Sequence, residues 1–111
     1  MGEIFLARQI GVARFDRLVI LKALLPELAE QKGFVEQFLD EARVAATLNH
    51  PNIVSIYEVG EWGGMYVIAM EYIRGDNLAR LMSQVVKANA ELPDVIAARI
   101  VRDAAFALDH A

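Results

Sequence analysis

Leu18-Val19-Ile20-Leu21-Lys22-Ala23-Leu24-Leu25 is the stretch on which the reading of the fold turns. Seven of its eight residues are apolar and the eighth is a lysine. A short run rich in aliphatic and β-branched side chains favours a buried strand. With a period of two, Ile20 and Lys22 share one face, and Val19 and Leu21 share the other. Burying an ammonium without a partner is costly. Lys22 therefore either reaches solvent with its tip or meets an anion, and the run alone leaves both open.

A second charge in an apolar setting lies downstream. Residues 34–48 are predicted to form a helix, because Phe34, Phe38, Glu41, Ala45 and Leu48 recur at helical spacing on one stripe. Glu41 thus falls on the stripe expected to face the core, whereas Asp40 and Arg43 lie off it and are expected in solvent. A buried Lys22–Glu41 ion pair satisfies both anomalies. Such a pair is a poor stability device, because apolar residues often serve as well, so it points to a functional charge. A lysine held by a carboxylate can grip a phosphate.

The rest of the chain supplies a frame for this pair. Residues 2–7 read as a short strand and residues 8–17 as a turn into the lysine strand, which Pro26 ends. Residues 53–59 and 65–72 read as two strands joined by a glycine-rich hairpin turn at 60–64, the second almost wholly apolar and so central. Helices are expected over 77–86 and from Pro93 to about His110. An antiparallel sheet carrying one packed helix, followed by two helices, is an α+β pattern.

Bulk properties narrow the function. One domain, or a piece of one, is all that 111 residues allow. A net charge of −4 argues against nucleic acid as a partner. The lack of cysteine removes disulfides, thiolate metal sites and cysteine nucleophiles, and it fits a reducing, cytoplasmic setting. No apolar run is long enough to be a membrane segment.

Several motifs now fall in order. Gly2-Glu3-Ile4, Val19-Ile20-Leu21-Lys22, Phe38-Leu39-Asp40-Glu41-Ala42, Leu48-Asn49-His50-Pro51-Asn52-Ile53-Val54 and Ala69-Met70-Glu71-Tyr72 with Gly75 succeed one another, and Lys22 and Glu41 are 19 residues apart. In that order and spacing the chain resembles the N-terminal lobe of a bacterial, eukaryotic-like serine/threonine protein kinase. The first motif matches the last glycine and the valine position of a G-x-G-x-x-G-x-V loop, with Met1 before it where the family often has methionine. The second matches V-A-I-K, with Ile20 at the alanine position. The others match the helix bearing the lysine's partner, the connection to the next strand, and the gatekeeper and hinge.

The resemblance implies a partial kinase domain over residues 1–111, with the N-lobe and hinge in 1–73 and the start of the helical C-lobe in 74–111. It implies ATP as ligand, with Lys22 on the α- and β-phosphates and Glu41 holding Lys22. Gly2 would lie over the phosphates, Ile4 and Ile20 would roof the adenine, and Met70 would stand behind it. Backbone groups of Glu71 and Ile73 would pair with the adenine edge, and Asp76 or Asn77 would lie near the ribose. The resemblance also implies a protein substrate, with γ-phosphoryl transfer to Ser or Thr in the complete domain.

The catalytic-loop aspartate, the Mg²⁺-binding asparagine and the D-F-G aspartate have no counterpart in these 111 residues. The chain alone is therefore expected to be inactive, and Mg²⁺ is expected only in the complete domain. The last helix resembles one that packs inside the C-lobe, so its apolar stripe is expected to be exposed and to favour self-association. Two other readings remain: a non-catalytic nucleotide-binding or protein-interaction module, and an unrelated α+β domain in which Lys22 and Glu41 are a structural pair.

Overall fold

The structure, a computed structural model, describes residues 2–111, so Met1 lies outside the described residues. The chain divides into two compact units, the first ending at Tyr72 and the second running Ile73–Ala111.

The first unit is built on β1 (Gly2–Ile10), β2 (Asp16–Leu24), α1 (Pro26–Ala29), α2 (Phe34–Ala46), β3 (Ile56–Trp62) and β4 (Met65–Glu71). The four strands form one antiparallel sheet in the order β1-β2-β4-β3. The two most apolar strands, β2 and β4, are therefore the inner ones, and the less apolar β1 and β3 take the edges.

Strand boundaries differ from the sequence reading where pairing extends them. β1 runs on to Ile10 and β2 starts at Asp16, because Arg8 pairs with Leu18, Gln9 with Arg17 and Ile10 with Asp16 across the hairpin, and the side chains of Arg8 and Asp16 and of Arg17 and Gln9 also meet. An expected turn over 8–17 shrinks to Gly11–Phe15, with a short 3-10 turn at Val12–Arg14. β3 begins at Ile56 rather than at residue 53 and runs to Trp62, so only Gly63 and Gly64 turn. Their φ values of 57° and 81° are those of a two-residue hairpin turn that needs positive φ at both positions. Pro26 does not merely end β2: it sits at the first position of α1, a helix that sequence reading missed.

The core forms where α2 packs on one face of the sheet. Leu24, Phe38, Ala42 and Ile68 are buried together, with Leu28, Val35, Leu39, Ile56, Tyr66 and Met70 packed around them. On α2 the fully buried positions are Phe38 and Ala42, flanked by the half-buried Val35 and Leu39. The buried stripe is thus rotated from the predicted one, and Glu41 lies on its flank. Asp40 and Arg43 do face solvent, where they form an ion pair at 2.7 Å.

The second unit comprises α3 (Leu78–Lys87) and α4 (Asp94–His110). Asn77 starts α3 as its N-cap, its side-chain oxygen accepting the Arg80 N–H at 2.8 Å. Pro93 is the residue before the first turn of α4, close to its expected place. Val95, Val101, Phe106 and Leu108 of α4 are exposed. No helix among the described residues is long and apolar enough to cross a membrane.

Candidate functional site

Strand register brings four of the predicted site residues, Ile4, Ile20, Lys22 and Met70, together on the α2 face of the sheet, whereas Glu71, next to Met70 and opposite Val19, has its side chain on the other face. Lys22 lies opposite Ile4 on one side and Ile68 on the other. Ile20 lies opposite Leu6 and Met70. Cross-strand partners share a face, and so do residues two apart along a strand. Ile4, Ile20, Lys22 and Met70 therefore form one patch, apolar except for the single ammonium. Met70 also packs against the Leu24–Phe38 core, so it belongs to both the core and the patch.

Glu41 reaches this patch from α2. Its Oε2 lies 4.0 Å from Lys22 Nζ, with 29% of the lysine side chain and 48% of the glutamate exposed. This corrects the expectation of a buried ion pair. Glu41 stands beside the Phe38–Ala42 stripe instead of on it, and Lys22, with Ile4 and Ile68 as its cross-strand neighbours, keeps part of its side chain in solvent. At 4.0 Å the contact is one of charge with charge, outside hydrogen-bond range. Both Lys22 and Glu41 remain accessible to a third group.

Gly2 sits opposite Leu24 at the start of β1. A Cβ there would run into the backbone carbonyl of Ala23. The glycine is thus required by the close approach of β1 to β2, whatever else it does. Glu71 closes β4 by exchanging backbone and side-chain bonds with Ser55: its N–H donates to the Ser55 carbonyl at 2.9 Å, and its carboxylate accepts the Ser55 N–H at 3.1 Å. Of its two backbone groups, the carbonyl is the one a ligand could use. This tie was not legible in the sequence, because the partners are 16 residues apart.

The remaining candidates belong to the second unit. Ile73 is exposed, and Asn77 spends its side-chain oxygen on capping α3. Asp76 pairs with Arg80 at 3.3 Å. Among the described residues no group of three or more His, Asp or Glu side chains is placed to hold a metal ion. A concavity of about 360 Å³ lined by Leu21, Glu58, Trp62 and Val67 lies on the opposite face of the sheet and contains none of these residues.

A four-stranded antiparallel sheet, one helix packed on it and a strand lysine facing a helix glutamate define the class: the amino-terminal lobe of a protein kinase. The sequence pattern of the protein kinase domain matches residues 2–110, and the chain belongs to that family. It is 42% identical over its whole length to the tyrosine-protein kinase MasK of Myxococcus xanthus. It is 37% identical, again over its whole length, to the serine/threonine-protein kinase PrkC of Bacillus subtilis. The chain spans 17% and 16% of these relatives, about a sixth of each. The crystal structure of the Mycobacterium tuberculosis PknI kinase domain superposes with a TM-score of 0.72 at 34% identity, covering 99% of this chain and 42% of that one. The chain thus corresponds to part of a kinase domain.

Proposed function

We propose that this chain is the ATP-binding portion of a serine/threonine protein kinase domain, with Lys22 as the phosphate-contacting cation. The Lys22–Glu41 contact on an otherwise apolar sheet face carries the reading. An ammonium at the edge of Ile4, Ile20 and Met70 offers a nucleotide what it needs: an apolar surface for the base and a positive charge for the phosphates. Glu41 restrains the lysine without neutralising it fully, since the pair is open and at the limit of contact. Gly2 would let the backbone approach the phosphates, and Ile4 and Ile20 would cover the adenine. The Glu71 carbonyl would meet the adenine edge.

In the complete domain the γ-phosphoryl of ATP would pass to a protein hydroxyl. The bond from the γ-phosphorus to the bridging oxygen breaks, a bond to the hydroxyl oxygen forms, and the hydroxyl proton leaves with a base. No residue of this chain is assigned as that base or as a Mg²⁺ ligand, so these 111 residues are expected to bind without transferring. PrkC supports Ser and Thr as acceptors, whereas MasK is named a tyrosine kinase; phosphorylation of matched Ser, Thr and Tyr peptides by the complete protein decides between them. The lack of cysteine and the need for ATP suit the cytoplasm.

The test is thermal unfolding of the chain with and without ATP. A ligand at about 100 times its Kd adds about 2.7 kcal/mol to the stability of a folded state that it alone recognises. Wild type should melt higher with ATP, and Lys22→Met should lose that gain while melting like wild type without it. A Lys22→Met chain that keeps the full ATP shift would sink the assignment.

A further inference from the structure

The tip of the β1–β2 hairpin is built with features that the sheet does not require. It is closed by the Gly11 N–H donating to the Phe15 carbonyl at 2.6 Å and the Phe15 N–H donating to Val12 at 3.2 Å. Ala13 and Arg14 both adopt left-handed backbone, with φ of 58° and 63°. Glycine would take that conformation without steric cost, yet neither residue is glycine. The resulting turn holds Ile10, Val12 and Phe15 outward, and they are 80%, 90% and 72% exposed.

Cations surround this apolar tip. Residues 8–17 hold Arg8, Arg14 and Arg17 against a single acid, Asp16, in a chain whose net charge is −4. Arg8 pairs with Asp16 at 2.9 Å. Arg17 bonds Gln9 and lies 3.5 Å from the centre of the Tyr57 ring. Arg14, at the apex, has no ion pair or hydrogen bond among the described residues. Charge is thus segregated: a basic apolar point on an otherwise acidic chain.

The shape selects the partner. Three side chains on a convex tip fall far short of the roughly 800 Å² per partner of a stable protein interface. A bilayer surface asks for less: a few apolar side chains below the headgroups and cations among anionic ones. We propose that this hairpin tip is a contact site for anionic membrane surfaces. Val12 and Phe15, flanked by Ile10, enter the headgroup boundary, and Arg14 lies among the lipid phosphates. Lys22 is seven residues beyond Phe15 on β2, or about 23 Å at strand rise, so the nucleotide patch stays clear of the surface.

The test is sedimentation of the chain with phosphatidylcholine vesicles, with or without phosphatidylserine, while circular dichroism monitors the fold. Wild type should bind the phosphatidylserine vesicles at low salt and lose most of that binding at high salt. A Val12→Ser/Phe15→Ser double variant should bind about fivefold more weakly, and Arg14→Glu at least about threefold more weakly. Trp62, the only tryptophan, lies on the other hairpin. Phe15→Trp in a Trp62→Phe background should therefore shift its emission to the blue on vesicle addition. Three results overturn the proposal: no wild-type binding to anionic vesicles, equal binding to neutral ones, or undiminished binding by the double variant. The last would place the contact elsewhere, for example on the exposed apolar residues of α4.

Discussion

Lys22 and Glu41 meet at 4.0 Å at the border of the core, with both side chains open to water. Exposed ion pairs contribute roughly 0–1 kcal/mol. Stability is thus a weak reason for this pair, and alignment of the ammonium is a better one.

Glu41→Gln should therefore cost less than about 1 kcal/mol of stability. It should nevertheless reduce the ATP-induced rise in melting temperature, because Lys22 loses the charge that restrains it. Urea unfolding with and without ATP separates the two effects. A loss of several kcal/mol without ligand would mean that the pair is structural.

Phe38→Ala should have the opposite profile. Phe38 is fully buried against Leu24, Ala42 and Ile68. Truncating such a side chain costs roughly 3–5 kcal/mol, a large share of a small domain's total. Far-ultraviolet circular dichroism in urea should show a much lower midpoint, or a chain that is unfolded throughout.

Gly2→Ala tests why a glycine stands at the head of β1. The added methyl meets the Ala23 backbone carbonyl, which cannot rotate aside as a side chain would. We expect a cost of about 1–3 kcal/mol if the strand end stays in place. If it yields locally, amide exchange at Glu3 and Ile4 will quicken while the core amides stay protected. Unchanged exchange and stability would show that the close approach is not a constraint.

Asn77→Ala should weaken α3 alone. It removes the oxygen that accepts the Arg80 N–H, a change that costs roughly 0.5–2 kcal/mol at helix N-caps. Asn77→Asp keeps the acceptor and adds a charge that suits a helix N-terminus, so it should restore α3. Amide exchange over Leu78–Lys87 is the readout, with β2 and β4 unaffected.

Lipid dependence is a fifth axis on which the chain can be probed. The vesicle experiments on Val12, Arg14 and Phe15 leave Lys22 intact, so loss of membrane contact should not change the ATP shift. That separation keeps the two proposals independent.

The order of the four strands and of α2, α3 and α4 was legible because each rests on a local pattern. Alternating or continuous apolar runs give β2 and β4, and helical spacing gives α2, α3 and α4. Lys22 and Glu41 could be singled out because each interrupts such a pattern, and the register and the α2 packing do bring them together. The length of β1 was not legible: Arg8 and Gln9 look like turn residues until the register sets Leu18 and Arg17 opposite them. Nor was α1, since a proline after an apolar run reads as an ending even where it begins a helix.

By itself, then, the sequence determined which segments form strands and helices and which two charges break their apolar pattern. Those facts depend on neighbours a few residues apart. Only the tertiary structure decided how deeply the charges lie. The rotation of α2 puts Phe38 and Ala42 into the core and leaves Glu41 at its margin, and that angle is set by how side chains from β2, β4 and α2 fill one space. The same packing left Lys22 partly in solvent, 4.0 Å from Glu41.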